Sequence, residues 1–365
     1  MKNISKIVAV SSLLTCVAAQ AGGLYLYETT ASDTGLASAG MAARAQDASV
    51  MAANPAGLAN VAGQSFSGNI IGLYGDAQLD TMNGDAGNVI GFVPMPSAFY
   101  SQQVNDSWTL GVGLYGNYGL GLEYEGLLNN TLDIPAATTQ ALTIKPSVSY
   151  RINDRWSVGA ALGIQYGMYE VETKGIANFS TEQQDTQFNG QVGVLYEVTP
   201  GTRFGLSYSS ETEFEFDASH SIAPQQLIFS IYSQVNDKLA WMGNVNWQDW
   251  SEYNTTLNVE TQDTYQVAFG TQYQINNKLV WNAGFAFDSS MYEDQSEGDI
   301  TIPTGDSYRL GTGIDYNWDD KNTLSVAFET VIVDSSETWV NDTKVGGFKD
   351  PALYFLSMGY RWSSQ

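Results

Sequence analysis

The stretch "INDRWSVGAALG", residues 152–163, pairs a polar turn with a strand that opens on Trp, and close copies recur along the chain. They are "VNDSWTLGVG" from Val104, "VNDKLAWMGN" from Val235, "INNKLVWNAG" from Ile275 and, more loosely, "NWDDKNTLSVA" from Asn317. Each reads as a tight Asn/Asp turn leading into a strand with period-two alternation. Trp156, Val158, Ala160, Leu162, Ile164 and Tyr166 share one face; Ser157, Gly159, Ala161, Gly163 and Gln165 share the other. Leu279 to Phe287 and Tyr354 to Trp362 repeat the pattern. In a soluble sandwich the polar face would carry large solvated side chains; here it is small and weakly polar, which suits a lumen. The apolar face with aromatics at its ends suits a transmembrane barrel between two interfacial girdles.

Fourteen such segments can be counted, near 65–74, 95–104, 107–119, 141–152, 155–172, 185–198, 202–217, 225–236, 239–250, 263–275, 279–288, 307–317, 322–333 and 352–362. An even number returns the chain to its starting side. Short turns at Asn105-Asp106, Asn153-Asp154, Pro200-Gly201, Asn236-Asp237, Asn276-Asn277 and Asp319-Asp320 alternate with long acidic loops such as 289–306 and 334–350. That asymmetry orients the barrel, with turns periplasmic and loops extracellular.

Composition agrees. Lys2 and Lys6 precede an apolar run from Ile7 to Val17 that ends at Ala19-Gln20-Ala21, the layout of a secretory signal peptide cleaved after about Ala21. Cys16 lies inside that leader; the alternative, a lipoprotein signal using Cys16, is weakened by Thr15 where a small residue is expected. The net charge is −24, and −26 once Lys2 and Lys6 are lost. Such acidity excludes nucleic-acid binding by phosphate neutralisation. No other run approaches the ~20 apolar residues of a membrane helix, so any span is made of strands. The expected organisation is a signal peptide over 1–21, an N-terminal segment over 22–64 and a barrel over 65–365.

Residues 22–64 are rich in Ala and Gly and lack strand alternation. A mobile periplasmic tail is one reading; a partly helical hatch, or plug, inside the lumen accounts better for the weakly polar composition. "GLASAGMAARAQDASVMAANPAG" (35–57) is similar to the hatch signature of the FadL family of outer-membrane long-chain fatty-acid and hydrocarbon transporters, and Asn54-Pro55-Ala56-Gly57 matches its N-P-A-G element. The resemblance continues through 92–124 with "NYGL", and through "KPSVSYRINDRWSVGAALGIQYG", "GVLYEVTPGTRFGLSYSSE", "WQDWSEY" and "DITIPTGDSYRLGTG". It implies an all-β fold, a fourteen-stranded antiparallel barrel with a hatch, and passive uptake of hydrophobic molecules.

It also implies sites. A kink in the third strand at Gly116 and Gly119 would open the wall sideways, with Asn54, Pro55, Ala56 and Gly57 packed against it as a gate. Leu24, Leu26, Leu120, Leu122, Tyr124, Leu127 and Leu128 are the expected apolar ligand contacts; the family often has an aromatic near Leu24. Lys174, close to where the family places a carboxylate-binding Arg, is the expected headgroup cation. By alternation Lys145, Arg151, Arg203, Arg309 and Arg361 point into the lumen. Salt bridges to Asp33 or Asp47 are the plainer role for Arg151, Arg203 and Arg361, and so few cations leave a neutral hydrocarbon or aromatic substrate open.

His220 is the one histidine, and G-x-S-x-G, HExxH, P-loop and Rossmann patterns are absent, so an enzyme is not expected and neither cofactor nor metal is implied. Expected partners are hydrophobic small molecules, outer-membrane lipid and lipopolysaccharide, with a monomer the simplest assembly. A porin-like channel for small polar solutes and an adhesive surface protein with acidic loops are the competing classes.

Overall fold

The computed structural model describes residues 25–364 apart from 83, 124–132, 175–178, 217–218, 254, 256–258 and 295–297. The leader, Leu24, Tyr124, Leu127 and Leu128 lie outside the described residues. Fourteen antiparallel strands form a closed wall: β1 (Gln64–Thr81), β2 (Gly91–Gln103), β3 (Trp108–Glu123), β4 (Asp133–Arg151), β5 (Trp156–Lys174), β6 (Phe179–Thr199), β7 (Thr202–Ser209), β8 (Gln226–Asn236), β9 (Leu239–Gln248), β10 (Thr264–Gln274), β11 (Leu279–Asp288), β12 (Ser307–Asn317), β13 (Asn322–Val333) and β14 (Thr343–Ser363). β14 closes on β1 from Ser65↔Ser363 to Thr81↔Gly346. Short strands Gly84–Asn88 and Ser336–Val340 extend the sheet beyond β1 and β14.

The repeated turn has one chemistry. In each copy the first Asn or Asp side chain accepts hydrogen bonds from the amides two and three residues on. Asn153 Oδ1 takes Arg155 N at 2.9 Å and Trp156 N at 3.0 Å; Asn105, Asn236, Asn276 and Asp319 do the same. The side chain thus satisfies amides that the tight turn takes out of the ladder. At Asp319 the amide of Lys321, with help from Asn322, holds the carboxyl below the usual carboxylate range, so this turn keeps its acceptor in mildly acidic buffer.

Alternation decides which side chains meet lipid. On β12, Tyr308, Leu310, Ile314 and Tyr316 are exposed while Ser307, Arg309 and Asp315 are buried. Around the wall the same alternation exposes Ile70, Phe92, Leu110, Leu162, Phe188, Phe269 and Met358. So continuous an apolar belt is tolerable only against hydrocarbon. Near the short turns, Trp108 packs on Tyr150 at 4.7 Å and Trp156 on Tyr196 at 4.3 Å, a girdle at the periplasmic interface.

The expected strand 202–217 is corrected. β7 stops at Ser209, and Thr212–Phe216 forms a separate hairpin with Ser219–Ala223. Leu206 and Tyr208 are exposed, whereas Thr212, Phe214 and Phe216, of the same parity, are buried. The chain has turned over to present its apolar face inward, and a period-two pattern reads alike in either orientation. β4, β5 and β6 are 19, 19 and 21 residues long, and so rise beyond the ~9–11 residues that cross a bilayer.

Asn153→Ala should leave the Arg155 and Trp156 amides without their acceptor and lower stability by about 1 kcal/mol. Urea unfolding in lipid vesicles followed by tryptophan fluorescence checks this; an unchanged midpoint would show the turn to be indifferent to its side chain.

Candidate functional site

β2 and β3 pair only from Gln103↔Thr109 to Ala98↔Leu114. Above that point β2 continues along β1 to Gly75↔Gly91, and β3 continues along β4 to Glu123↔Ala136. The two strands therefore part inside the wall. β3 carries an irregularity between Gly116 and Tyr118, and Gly119 has φ 143°, a region that side chains with a Cβ rarely adopt. A Cβ there would also lie 2.6 Å from Gln140 Cα. Glycine is thus required by the path of the backbone, and the bulge turns the Asn117 carbonyl out of the β3–β4 ladder.

Residues 25 and 26 take the place that β2 leaves. Leu26 N donates to Asn117 O at 2.8 Å, and Tyr25 forms an isolated antiparallel bridge with Tyr118. Leu26 is 1% exposed, in a cluster with Leu122, Tyr118, Phe214, Phe216 and Trp250. Tyr118 stacks on Phe214 at 6.0 Å, and its hydroxyl shares a 2.7 Å hydrogen bond with Ser221 and donates to Ile222 O at 3.1 Å. The paired strands Thr212–Phe216 and Ser219–Ala223 therefore roof the point where the N-terminal segment meets the parted wall. In the neighbouring loop, burial pushes the Tyr292 phenol up, which keeps it a donor to Ile302 O at 2.9 Å.

Residues 31–60 are anchored lower. Helix α1 (Ala31–Gly35) is capped by the Thr30 hydroxyl, which accepts from Asp33 N at 3.1 Å. Helix α2 (Val50–Ala53) runs into a 3-10 turn, Pro55–Asn60. The N-P-A-G sequence builds that turn: Asn54 Oδ1 accepts from Ala56 N at 3.0 Å, and Pro55 occupies the first position, where no amide is needed. Asn54 Nδ2 donates to Ala42 O at 2.8 Å and to Val194 O of β6 at 3.1 Å. Ala56 O accepts from Ser149 and Ser157, of β4 and β5.

This corrects the expected packing of Asn54, Pro55, Ala56 and Gly57 against the kink. Asn54 and Ala56 bond to β4, β5 and β6 near the turns, while Tyr25 and Leu26 touch the bulge. Close approach follows from wall glycines: a Cβ at Gly159 would strike Ala56, and one at Gly284 would strike Leu36.

The lumen cations also divide. Arg309 is buried with Asp288, at 2.6 Å, with Glu28 of the N-terminal segment, and with Glu329 at 3.5 Å, and lies over the Tyr27 ring. Arg361 meets Asp315 at 3.0 Å and Asp47 at 3.5 Å. Arg151 and Arg203, expected to meet acids, hold main-chain carbonyls: Arg151 that of Ala59, Arg203 those of Ala43 and Arg44. Asp33 pairs instead with Arg44, at 2.5 Å. Sequence reading missed the Arg309 cluster, though its signal was available: Asp288, Arg309 and Glu329 all fall on inward parity of adjacent strands.

For the remaining expected contacts, Leu122 is buried in the apolar cluster, while Leu120 and Lys174 lie on β3 and β5 with side chains outside the described set. Among the described residues no group of His, Asp and Glu is arranged to hold a metal ion.

A closed barrel with an apolar outer belt, a polar interior lined by a chain segment and a parted wall defines an integral outer-membrane transport protein. The chain belongs to the family described as "Outer membrane protein transport protein (OMPP1/FadL/TodX)", which matches residues 12–227 and 220–356. It is 25% identical to outer membrane protein P1 of Haemophilus influenzae over 394 residues, covering 84% of this chain and 85% of that one. To the long-chain fatty acid transport protein of Escherichia coli K12 it is 22% identical, covering 87% and 89%. Among solved structures, a Pseudomonas aeruginosa FadL homologue superposes with a TM-score of 0.82 at 16% identity, covering 94% of this chain and all of that one. The toluene transporter TodX of P. putida gives 0.75 at 15%, covering 93% and 99%. The fold is thus shared, the protein resides in the outer membrane, and the family's role is transport rather than catalysis.

Arg309→Met would leave three buried carboxylates without their cation. Losing one partner of a buried pair costs about 3–5 kcal/mol, so the variant should unfold in SDS at a clearly lower temperature than the parent on a heat-shift gel. An equal shift temperature would show that the cluster does not hold Glu28.

Proposed function

We propose that the chain carries hydrophobic compounds, long-chain fatty acids or hydrocarbons, passively across the outer membrane. The observation that carries this reading is the parting of β2 from β3, with residues 25–26 seated at the opening. An aqueous pore offers an apolar solute no favourable binding, whereas a wall that opens sideways lets it pass from an apolar interior into hydrocarbon without crossing bulk water.

Capture starts at the extracellular end, where Leu120, Leu122, Tyr124, Leu127 and Leu128 supply apolar surface and Lys174 a cation at the rim. The ligand, met also by Leu24, then displaces Tyr25 and Leu26 from the bulge and leaves through the gap beside Gly116 and Gly119. Residues 31–60 act as the body of the hatch, and Asn54 to Gly57 anchor its floor. The leader 1–21 is removed on export, and the protein works as a monomer whose acidic loops face lipopolysaccharide. A porin-like role is disfavoured by the density of bonds between residues 25–63 and the lumen wall. The relatives named for fatty-acid and toluene transport support the same substrate class.

Tyr25 and Tyr118 sit opposite each other in an antiparallel bridge, an arrangement whose closer pairs bring Cβ atoms to about 4.5 Å, the upper end of what a disulfide spans. In proteoliposomes, Tyr25→Cys/Tyr118→Cys should take up a labelled hydrophobic ligand when reduced and lose uptake when oxidised. Equal uptake in both states would rule out release of the tip as a step of transport.

A further inference from the structure

We propose that Lys145 is the headgroup-binding cation of the lumen, and that the substrates it selects are amphiphiles bearing a carboxylate; the proposal rests on the transport reading above. Lys145 is 4% exposed and points inward from β4. Its ammonium donates to Ala52 O at 3.1 Å and to the Tyr115 hydroxyl at 3.2 Å, which accounts for two of its three donors. Among the described residues no carboxylate lies within ion-pair distance of it. The other inward cations differ: Arg44, Arg309 and Arg361 are paired with acids, and Arg151 and Arg203 hold backbone carbonyls. A buried ammonium without a counter-ion is costly, and an incoming anion relieves that cost.

A second observation points to the same place. Lys145 lines a small polar cavity together with Asn117, Thr143, Asn189, Thr212 and Gln226. Four of those neighbours, Thr143 Oγ1, Asn189 Oδ1, Thr212 Oγ1 and Gln226 Oε1, are buried polar atoms with no hydrogen-bond partner. Native interiors rarely leave such groups unmet, and here four of them belong to residues that line one cavity with a buried cation. The two hydroxyls can donate to a carboxylate held by the ammonium; the two amide oxygens, whose nitrogens already donate to Tyr25 and Ser210, can accept from the water that accompanies it.

Position supplies the rest. Asn117, whose carbonyl anchors the tip of the N-terminal segment, forms one wall of the cavity, and Tyr115 precedes it on β3. A headgroup held at Lys145 would place its tail at the parted strands, against Leu26 and Leu122 or out toward lipid. Acid-bearing chains would thus be held at the exit while neutral hydrocarbons pass without this contact.

The test uses the full protein in vesicles with two probes of equal tail, oleate and oleyl alcohol, and the variants Lys145→Met and Thr143→Val. Lys145→Met should weaken oleate binding by about tenfold or more, the scale of one lost charge-assisted hydrogen bond, while changing oleyl alcohol less than about twofold. Thr143→Val should weaken oleate in the same sense by a smaller factor and confirms the site if the lysine variant folds poorly. An equal fall for both probes would reduce Lys145 to a staple for Ala52, and no change with either would reduce the cavity to a solvated niche; each overturns the proposal. If the parent protein takes up neither probe, the transport reading itself fails.

Discussion

Every amide in a bilayer-spanning wall has to be paired within the protein, because hydrocarbon offers no donor or acceptor. Above Ala98↔Leu114, β2 and β3 cease to meet that condition for each other. The hydrogen bond from Leu26 N to Asn117 O, with the bridge between Tyr25 and Tyr118, meets part of it from inside. The opening can exist because a piece of the same chain stands behind it. That piece is held by the Leu26–Asn117 hydrogen bond, by Gln226 donating to the Tyr25 hydroxyl and by burial of Leu26 in the apolar cluster, contacts that an apolar ligand entering the cluster can replace. A gap sealed by a full strand would not open, and one sealed by nothing would leave peptide groups bare.

The remainder of the N-terminal segment is fixed more firmly, and the difference is structural. Between residues 31 and 60, short helices lie against wall glycines, and their carbonyls are taken up by Ser149, Ser157, Lys145, Arg151 and Arg203. Glu28, tied to Arg309, marks the boundary between this anchored body and the tip at residues 25–27. The buried ion cluster is thus better placed as a pivot than as a ligand site. Conformational change confined to a few residues ahead of such a pivot needs no rearrangement of the packed interior.

Much of this was legible in the residues. The Asn/Asp turns and the period-two alternation count and orient the wall, since a strand buried on one face has to repeat every second residue. The glycines of "GNYGLG" mark the bulge, and the composition of 22–64 separates that segment from the strands. What alternation cannot show is which face a segment offers once it leaves the wall, so Thr212–Phe216 read as more of β7 and proved to be a hairpin turned inward. Nor can it show where neighbouring strands stop pairing: β2 keeps its pattern past Ala98 while its partner has gone. Asn54-Pro55-Ala56-Gly57 reads as a turn with a cap, but its place against β4–β6 and not the kink depends on the path of the twenty-seven residues between it and Leu26. Arg151 and Arg203 were expected to seek acids; the carbonyls of Ala59, near the end of the 3-10 turn, and of Ala43 and Arg44, in the stretch between the helices, satisfied them first.

The central claim is that residues 25–27 alone yield to ligand while the body behind them stays in place. Hydrogen–deuterium exchange of the full protein in lipid, with and without saturating oleate, tests it most directly. The account predicts faster exchange at Leu26 and in the 114–120 segment on ligand addition, with 31–60 as protected as before. Unchanged exchange at Leu26, or a loss of protection running through 31–60, would contradict it.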